Sequence, residues 1–442
     1  MACKTASFKK DNMRDLKITM IGAGSTYSPE LIHGFLTREN LMCVKEFTLM
    51  DINKSRLDIV GGLIARMCET FKTRPKITMT TNLEEAVSGA DYVVTQFRIG
   101  MLPARAKDET IPKKYGYIGQ ETTGPGGFAK ALRTIPEMLK IAACIEKNAP
   151  SAFLINFTNP SGIITEAVNK YSNVKAIGLC NSPITCFKKI NEVMGLDGSK
   201  VFYDYFGLNH LGFIRGIYID GKNKSAEFFP KILSHERAAE MLTNSSKHKF
   251  NARHALAMGI LPIHYVHYYL HEKERTAEVC AEEKSRGELL IEVDKQLLEQ
   301  YSDRELKTKP PGLDQRGGAW YSEAAVALIN SIENNDGVIH VINITNNGVI
   351  SDLPNDAVIE VSALVGGHLI KPLHFGALPE GVRGLIQHVK AYESLTVDAA
   401  ATHNKEKAFL ALCSHPFMDS TNVAEQIFED ILLAHKDYIK LE

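Results

Sequence analysis

Six short runs of β-branched and apolar residues recur through residues 17–181, with helical periodicity between them. They are KITMIG (17–22), FTLMDI (47–52), KITMTT (76–81), DYVVTQF (91–97), AFLINFTNP (152–160) and KAIGLCN (175–181). Strands that alternate with helices in this way predict a parallel, doubly wound α/β sheet, because parallel neighbours need a crossover between them. After about residue 200 the pattern changes. VFYDYFGLNHLGFIRGIYIDGK (201–222) reads as antiparallel strands with a tight turn at Asp220–Gly221. Polar helices are predicted over 236–241 and 277–301. A Pro-rich hinge at 307–320 precedes another helix, strands in GVIHVINITNNGVI and AVIEVSALV, and a helical C-terminal third. The expected organisation is two closely packed domains, 15–199 and 200–442, the second of mixed α+β character.

With 51 basic and 52 acidic side chains, the chain has no large field of either sign. That argues against a nucleic-acid or membrane-surface partner. No apolar run is long enough to predict a membrane span. The opening MACKTASFKKDNMRD lacks the apolar core of a secretory signal, and the 8 scattered cysteines contain no C-x-x-C pair. A reducing cytoplasm is the expected setting.

IGAGSTYSPE (21–30) stands directly after the first strand and opens the first helix. Gly22 and Gly24 suit a tight turn and close backbone approach to a pyrophosphate, with Ser25 and Thr26 following. The helix that starts near Ser28–Pro29 would offer its N-terminal amides to the phosphates. Tyr27 stands where a G-x-G-x-x-G motif has its third glycine. Asp51, closing the second strand, can accept hydrogen bonds from an adenosine ribose and favours NAD over NADP. A plain turn, and a helix cap at Asp51, are the structural alternatives. The pattern predicts a Rossmann-like dinucleotide-binding domain.

Cys180 falls at the carboxyl end of the sixth strand, where ligands bind in open α/β sheets, and GLNHLGF (207–213) then offers His210. A buried thiol and a core histidine are the alternative readings, since two ligands alone make a weak metal motif. Tyr265 in YVHYY (265–269) reads on its own as an aromatic packing residue.

The order of IGAGS, GQETTGPGG, NFTNPSG, LCNSP, GLNHLG and YVHYY resembles glycoside hydrolase family 4 from about Lys17 onward. RGGAWYSEAA and NNGVISDLPNDAVIEV look like its 6-phospho-β-glucosidase branch. The resemblance implies a lactate/malate dehydrogenase-like first domain and a homo-oligomer, dimer or tetramer. It also implies a reaction that stands apart from two-carboxylate glycoside hydrolysis. NAD⁺ takes hydride from C3 of the glycone, a base removes the acidified C2 proton, and a divalent metal steadies the enediolate as the glycosidic oxygen leaves. Water then adds and the hydride returns.

Residue by residue, the resemblance makes Cys180 and His210 the metal ligands and Tyr265 the base, supported by Glu121. The metal is Mn²⁺ by the resemblance, although thiolate softness alone favours zinc. A metal-bound thiolate would also be sensitive to oxidation. Phosphate recognition needs charge-assisted donors. Arg105 and Asn159 match substrate contacts of the family, with Arg316 preferred and Arg275 second for the phosphate. Asn181 stands where α-specific members carry an aspartate acid. It leans the reading toward β-glycosides such as cellobiose-6-phosphate, leaves the acid unassigned, and could bind a sugar hydroxyl or simply turn the chain before Pro183. Rival readings are a plain NAD-dependent dehydrogenase with net NADH formation, a nucleotide sensor without catalysis, and a 6-phospho-α-glucosidase or other family 4 glycosidase.

Overall fold

A computed structural model of the chain describes residues 13–243, 248–316 and 321–442. Its strands are β1 (Asp15–Ile21), β2 (Cys43–Met50), β3 (Lys76–Thr80), β4 (Tyr92–Thr95), β5 (Phe153–Asn156), β6 (Lys175–Gly178), β7 (Val201–Leu208), β8 (Leu211–Ile219), β9 (Lys222–Asn223), β10 (Leu261–Pro262), β11 (Val338–Thr345), β12 (Val358–Gly366) and β13 (Leu369–Pro372). The six expected strands form a parallel array in the order β3-β2-β1-β4-β5-β6. The sheet does not stop there. β11 joins β6 antiparallel through Asn343 and Gly178, and β12 and β13 complete nine strands.

The central strands β4 and β5 are buried along their whole length because both faces are covered. Tyr92 and Val94 of β4 face one core with Leu31, Phe35, Leu57, Leu63 and Ile329. Val93 between them faces the other, with Phe128, Leu132, Ile135, Ile163 and Ile386. The same alternation along β5 sends Phe153 and Ile155 one way and Leu154 the other.

β7 and β8 make a hairpin whose two-residue turn is Asn209–His210, and β8 returns to β9 through Asp220–Gly221 as expected. Asp220 and Gly221 both have positive φ, 48° and 74°, the conformation that an Asp-Gly pair tolerates. The helix expected over 277–301 is two helices, Glu272–Ala281 and Arg286–Ser302. Ser285 and Glu288 form a reciprocal capping box that starts the second one, which explains the break. The C-terminal part is helical, led by Glu380–Thr402. Among the described residues no helix is long and apolar enough to cross a membrane.

Candidate active site

A cleft of about 1770 Å³ opens at the carboxyl ends of β1, β2, β4, β5 and β6. The loop after β1 forms one end. Gly22 has φ +87°, and a β-carbon there would lie 2.8 Å from Phe97 Cβ, so only glycine fits. Gly22 and Ala23 donate to the Met50 carbonyl, and Gly24 N–H donates to Asp51 Oδ2 at 2.9 Å. Asp51 Oδ1 also accepts from Asn53 N–H, while Asn53 itself caps the helix Lys54–Cys68. The cap alternative for Asp51 thus belongs to Asn53, and Asp51 faces the cleft beside Gly22, Gly24 and Ser25. Thr26 is fully buried and its hydroxyl donates to Asp294.

A helix from the far half of the chain pins this loop. Asp294 pairs with Arg56 at 2.8 Å, Arg56 Nε donates to the Gly24 carbonyl, and Tyr301 donates to the Thr26 carbonyl. No local sequence pattern marks Asp294 or Tyr301 as partners of a loop some 270 residues away.

The middle of the cleft holds His210 and Tyr265. Their rings stack at 3.9 Å between centroids, inclined by 26°. His210 sits in its hairpin turn at φ +67°, a region that side-chain-bearing residues seldom visit. The imidazole is buried, Nδ1 has no hydrogen-bond partner, and burial with nearby Lys130 pushes its pKa down to about 3. It is a neutral ring with a lone pair to give. Cys180 is buried, with Ser182 N–H donating to its sulfur at 3.4 Å. Burial, reinforced by the Glu360 carboxylate, pushes the thiol up to about 12, so a metal cation bound here must displace its proton.

Asn209 ties the two candidate ligands together. It interacts with the Cys180 sulfur, accepts from Gly162 N–H and donates to Glu360 Oε1 at 3.0 Å. Glu360 is buried and also accepts from Asn343 at 2.9 Å and Tyr205 at 2.6 Å. It is a shared anchor for the hairpin and the end of β6. The sequence reading missed it, although a lone acid inside AVIEVSALV was the available signal. Among the described residues no group of three or more His, Cys, Asp and Glu could hold a metal. Cys180 and His210 remain the candidate pair, and two protein ligands would leave a cation positions open for substrate oxygens.

A cation cluster closes the third side. Glu121 accepts from Arg98, from Arg105 Nη1 at 2.9 Å and from Lys130 Nζ at 2.9 Å. Burial alone would raise its pKa, but Arg105, Arg98 and Lys130 hold it well below the usual carboxylate range. Arg105 also donates to Glu109 at 2.8 Å. Burial disfavours the Arg105 charge, which Glu121, Glu109 and then Tyr265 restore. The expected link between Glu121 and Tyr265 thus runs through Arg105, and Arg105 is held by carboxylates. Lys130 and Arg98 were not singled out; the lysine inside the apolar run GGFAKAL was the missed signal.

Asn159 and Asn181 line the cleft; Asn159 Oδ1 is buried without a partner, and Asn181 precedes the helix Ser182–Met194 without a side-chain capping bond. Arg275 also lines it, its guanidinium 5.1 Å over the Tyr268 ring and bonded to His248 and Glu278, with Nε buried and unpartnered. Arg316 ends a 3-10 turn, Pro311–Arg316, and its side chain lies outside the described residues.

Comparison with known proteins gives a consistent result. Residues 17–196 match the model for family 4 glycosyl hydrolase and residues 205–418 the model for its C-terminal domain. A probable 6-phospho-beta-glucosidase of Bacillus subtilis is 41% identical over 96% of this chain and 98% of its own. The 6-phospho-beta glucosidase of Thermotoga maritima, solved with manganese, NAD⁺ and glucose-6-phosphate, superposes with TM-score 0.88 at 36% identity, covering 97% of this chain and 100% of that one. Malate dehydrogenase of Plasmodium falciparum shares the fold at TM-score 0.51 and 14% identity, covering 90% of this chain and 99% of its own.

Proposed function

The chain belongs to the family 4 glycosyl hydrolases, and on that premise we propose that it hydrolyses 6-phospho-β-glucosides to glucose-6-phosphate and an aglycone. NAD and a divalent metal, Mn²⁺, serve as its cofactors. The observation that carries this reading is one cleft that joins the Gly22–Gly24 loop and Asp51 to His210, Tyr265 and the Arg98–Arg105–Lys130 cluster.

When bound, the dinucleotide supplies a reversible hydride acceptor for C3 of the sugar and the metal supplies positive charge beside its hydroxyl oxygens. The chain's own residues do the rest. Gly22 and Gly24 would let the backbone approach the dinucleotide's pyrophosphate, and Asp51 would accept hydrogen bonds from its ribose. Cys180 and His210 are the proposed metal ligands, held in register by Asn209 and Glu360. Tyr265 removes the C2 proton. A free phenol with pKa about 10 is a weak base at neutral pH, and Arg105, whose charge responds to Tyr265, is the cation that favours the phenolate. Asn159 Oδ1 is an acceptor for a sugar hydroxyl, Asn181 takes another, and Arg275 with Arg316 is assigned to the phosphate.

Within this reading, residues 15–199 hold the dinucleotide and 200–442 complete the catalytic site. The substrates are sugars phosphorylated during uptake, which places the reaction in the cytoplasm, and the working form is a homo-oligomer, a dimer or tetramer. The test uses protein stripped of nucleotide and metal. Nitrophenol release from p-nitrophenyl β-glucoside 6-phosphate should require both NAD⁺ and Mn²⁺, and the α-anomer and the unphosphorylated glucoside should be poor substrates. Release without added NAD⁺ refutes the mechanism; preference for the α-anomer refutes the specificity.

A further inference from the structure

Lys130 stands in the helix Gly124–Asn148 between Ala129 and Ala131, both fully buried, and is itself 2% exposed. A lysine almost never occupies such a position unless its charge is used or paired. Its stem crosses the core and its ammonium reaches the cleft wall shared with Tyr265, His210 and Asn181. An ammonium carries three donors, and the acceptor found for this one among the described residues is Glu121 Oε2 at 2.9 Å. Glu121 already serves Arg98 and Arg105, so three cations share one carboxylate. Lys130 therefore has N–H donors left over at the reaction chamber.

Several other groups of this chamber are unsuited to giving up a proton. Arg105 keeps its charge beside Glu121 and Glu109. Glu121 is held ionised by the three cations. His210 is a neutral ring, Tyr265 is the group that takes the C2 proton, and Asn181 is an amide. Yet an alkoxide is a poor leaving group, and the departing oxygen needs a proton.

Building on the phospho-β-glucosidase reading, we propose that Lys130 protonates the glycosidic oxygen as its bond to C1 breaks. The balance is simple. Tyr265 takes the C2 proton, and the C2–H electron pair becomes the C1–C2 double bond. The C1–O pair stays with oxygen, which gains the Lys130 proton and leaves as an alcohol. The neutral amine then removes a proton from the water that adds to C1, Tyr265 returns its proton to C2, and both the ammonium and the phenolate are restored. Burial and the neighbouring Arg98 bring the Lys130 ammonium down to about 7, an acidity matched to this exchange near neutral pH.

The test compares leaving groups. Wild type, Lys130→Met and Lys130→Arg are assayed on methyl β-glucoside 6-phosphate and p-nitrophenyl β-glucoside 6-phosphate, with C2 deuterium exchange from solvent followed in parallel. Lys130→Met should cost about 100-fold or more in kcat on the methyl glycoside and less than about 5-fold on the nitrophenyl one, which leaves without an acid. C2 exchange should persist. Lys130→Arg keeps the charge without usable acidity and should repeat this selective defect. Equal losses on both substrates, loss of C2 exchange, or rescue of the methyl glycoside by arginine would overturn the assignment. Wild type inactive on both substrates would instead sink the underlying reading.

Discussion

The ring of His210 lies 3.9 Å from that of Tyr265, centroid to centroid, with the two planes 26° apart. A proposed ligand and a proposed base are thus packed as one unit. Both ride on constrained backbone: His210 at φ +67°, and Tyr265 directly after His264 at φ +39°. Geometry of this kind survives only where the surroundings hold it.

Removing the phenol oxygen should separate chemistry from binding. Tyr265→Phe keeps the stacked ring and is expected to lower kcat by about 100-fold to 10,000-fold, the usual worth of a positioned acid or base. NAD⁺ affinity, measured by calorimetry, should stay unchanged. Near-normal turnover would move the base elsewhere.

Glu360 reaches no cleft atom, but it holds Asn209, Asn343 and Tyr205. Outer-shell partners of this kind are typically worth about 10- to 100-fold in metal affinity. Glu360→Gln should weaken Mn²⁺ binding by that factor, read from the electron paramagnetic resonance of free manganese. An unchanged affinity would reduce Glu360 to packing.

Asp294 controls the nucleotide loop at a distance. Asp294→Ala leaves the partly buried Arg56 without its partner and should cost about 3 kcal/mol of unfolding free energy, as such breaks do. The loop loses its brace with it, so NAD⁺ should bind about tenfold more weakly. Tightly retained NAD⁺ in a destabilised variant would show that the brace serves folding alone.

Acid stability should depend on His415. It is buried, Gly124 N–H and Phe417 N–H point at its ring nitrogens, and burial, aided by His388, pushes its pKa down to about 3. The unfolded chain binds this proton near pH 6.5, so the stabilisation is complete above that pH and is lost as pH falls toward 3. The slope is about 1.4 kcal/mol per pH unit. Urea titrations at pH 6.5, 5.5 and 4.5 should show His415→Asn with that much less slope than wild type. Parallel lines would exclude the linkage.

The parallel half of the sheet was legible because strands buried on both faces leave short apolar runs, and Gly22 is demanded by its positive φ and Gly24 by the Asp51 side chain packed against it. Cys180, His210 and Tyr265 were singled out through short motifs; the structure brings His210 and Tyr265 together in one cleft, while Cys180 is buried and contacts Asn209, the residue before His210. Other features are relations between distant residues. Nothing near Asp294 or Tyr301 signals the loop each holds, and a strand such as β11 does not announce which edge it will join. The break before Arg286 was written locally as Ser285-x-x-Glu288 and was masked by the helical periodicity on either side.

The meeting of Gly178 with Asn343 has a consequence for any attempt to dissect the chain. A fragment ending near residue 200 would expose the whole hydrogen-bonding margin of β6, next to the segment that carries Cys180. Such margins recruit other strands. The excised half would self-associate rather than survive as a free-standing nucleotide binder, whereas a nick in the stretch between β9 and β11 should leave both pieces clasped together.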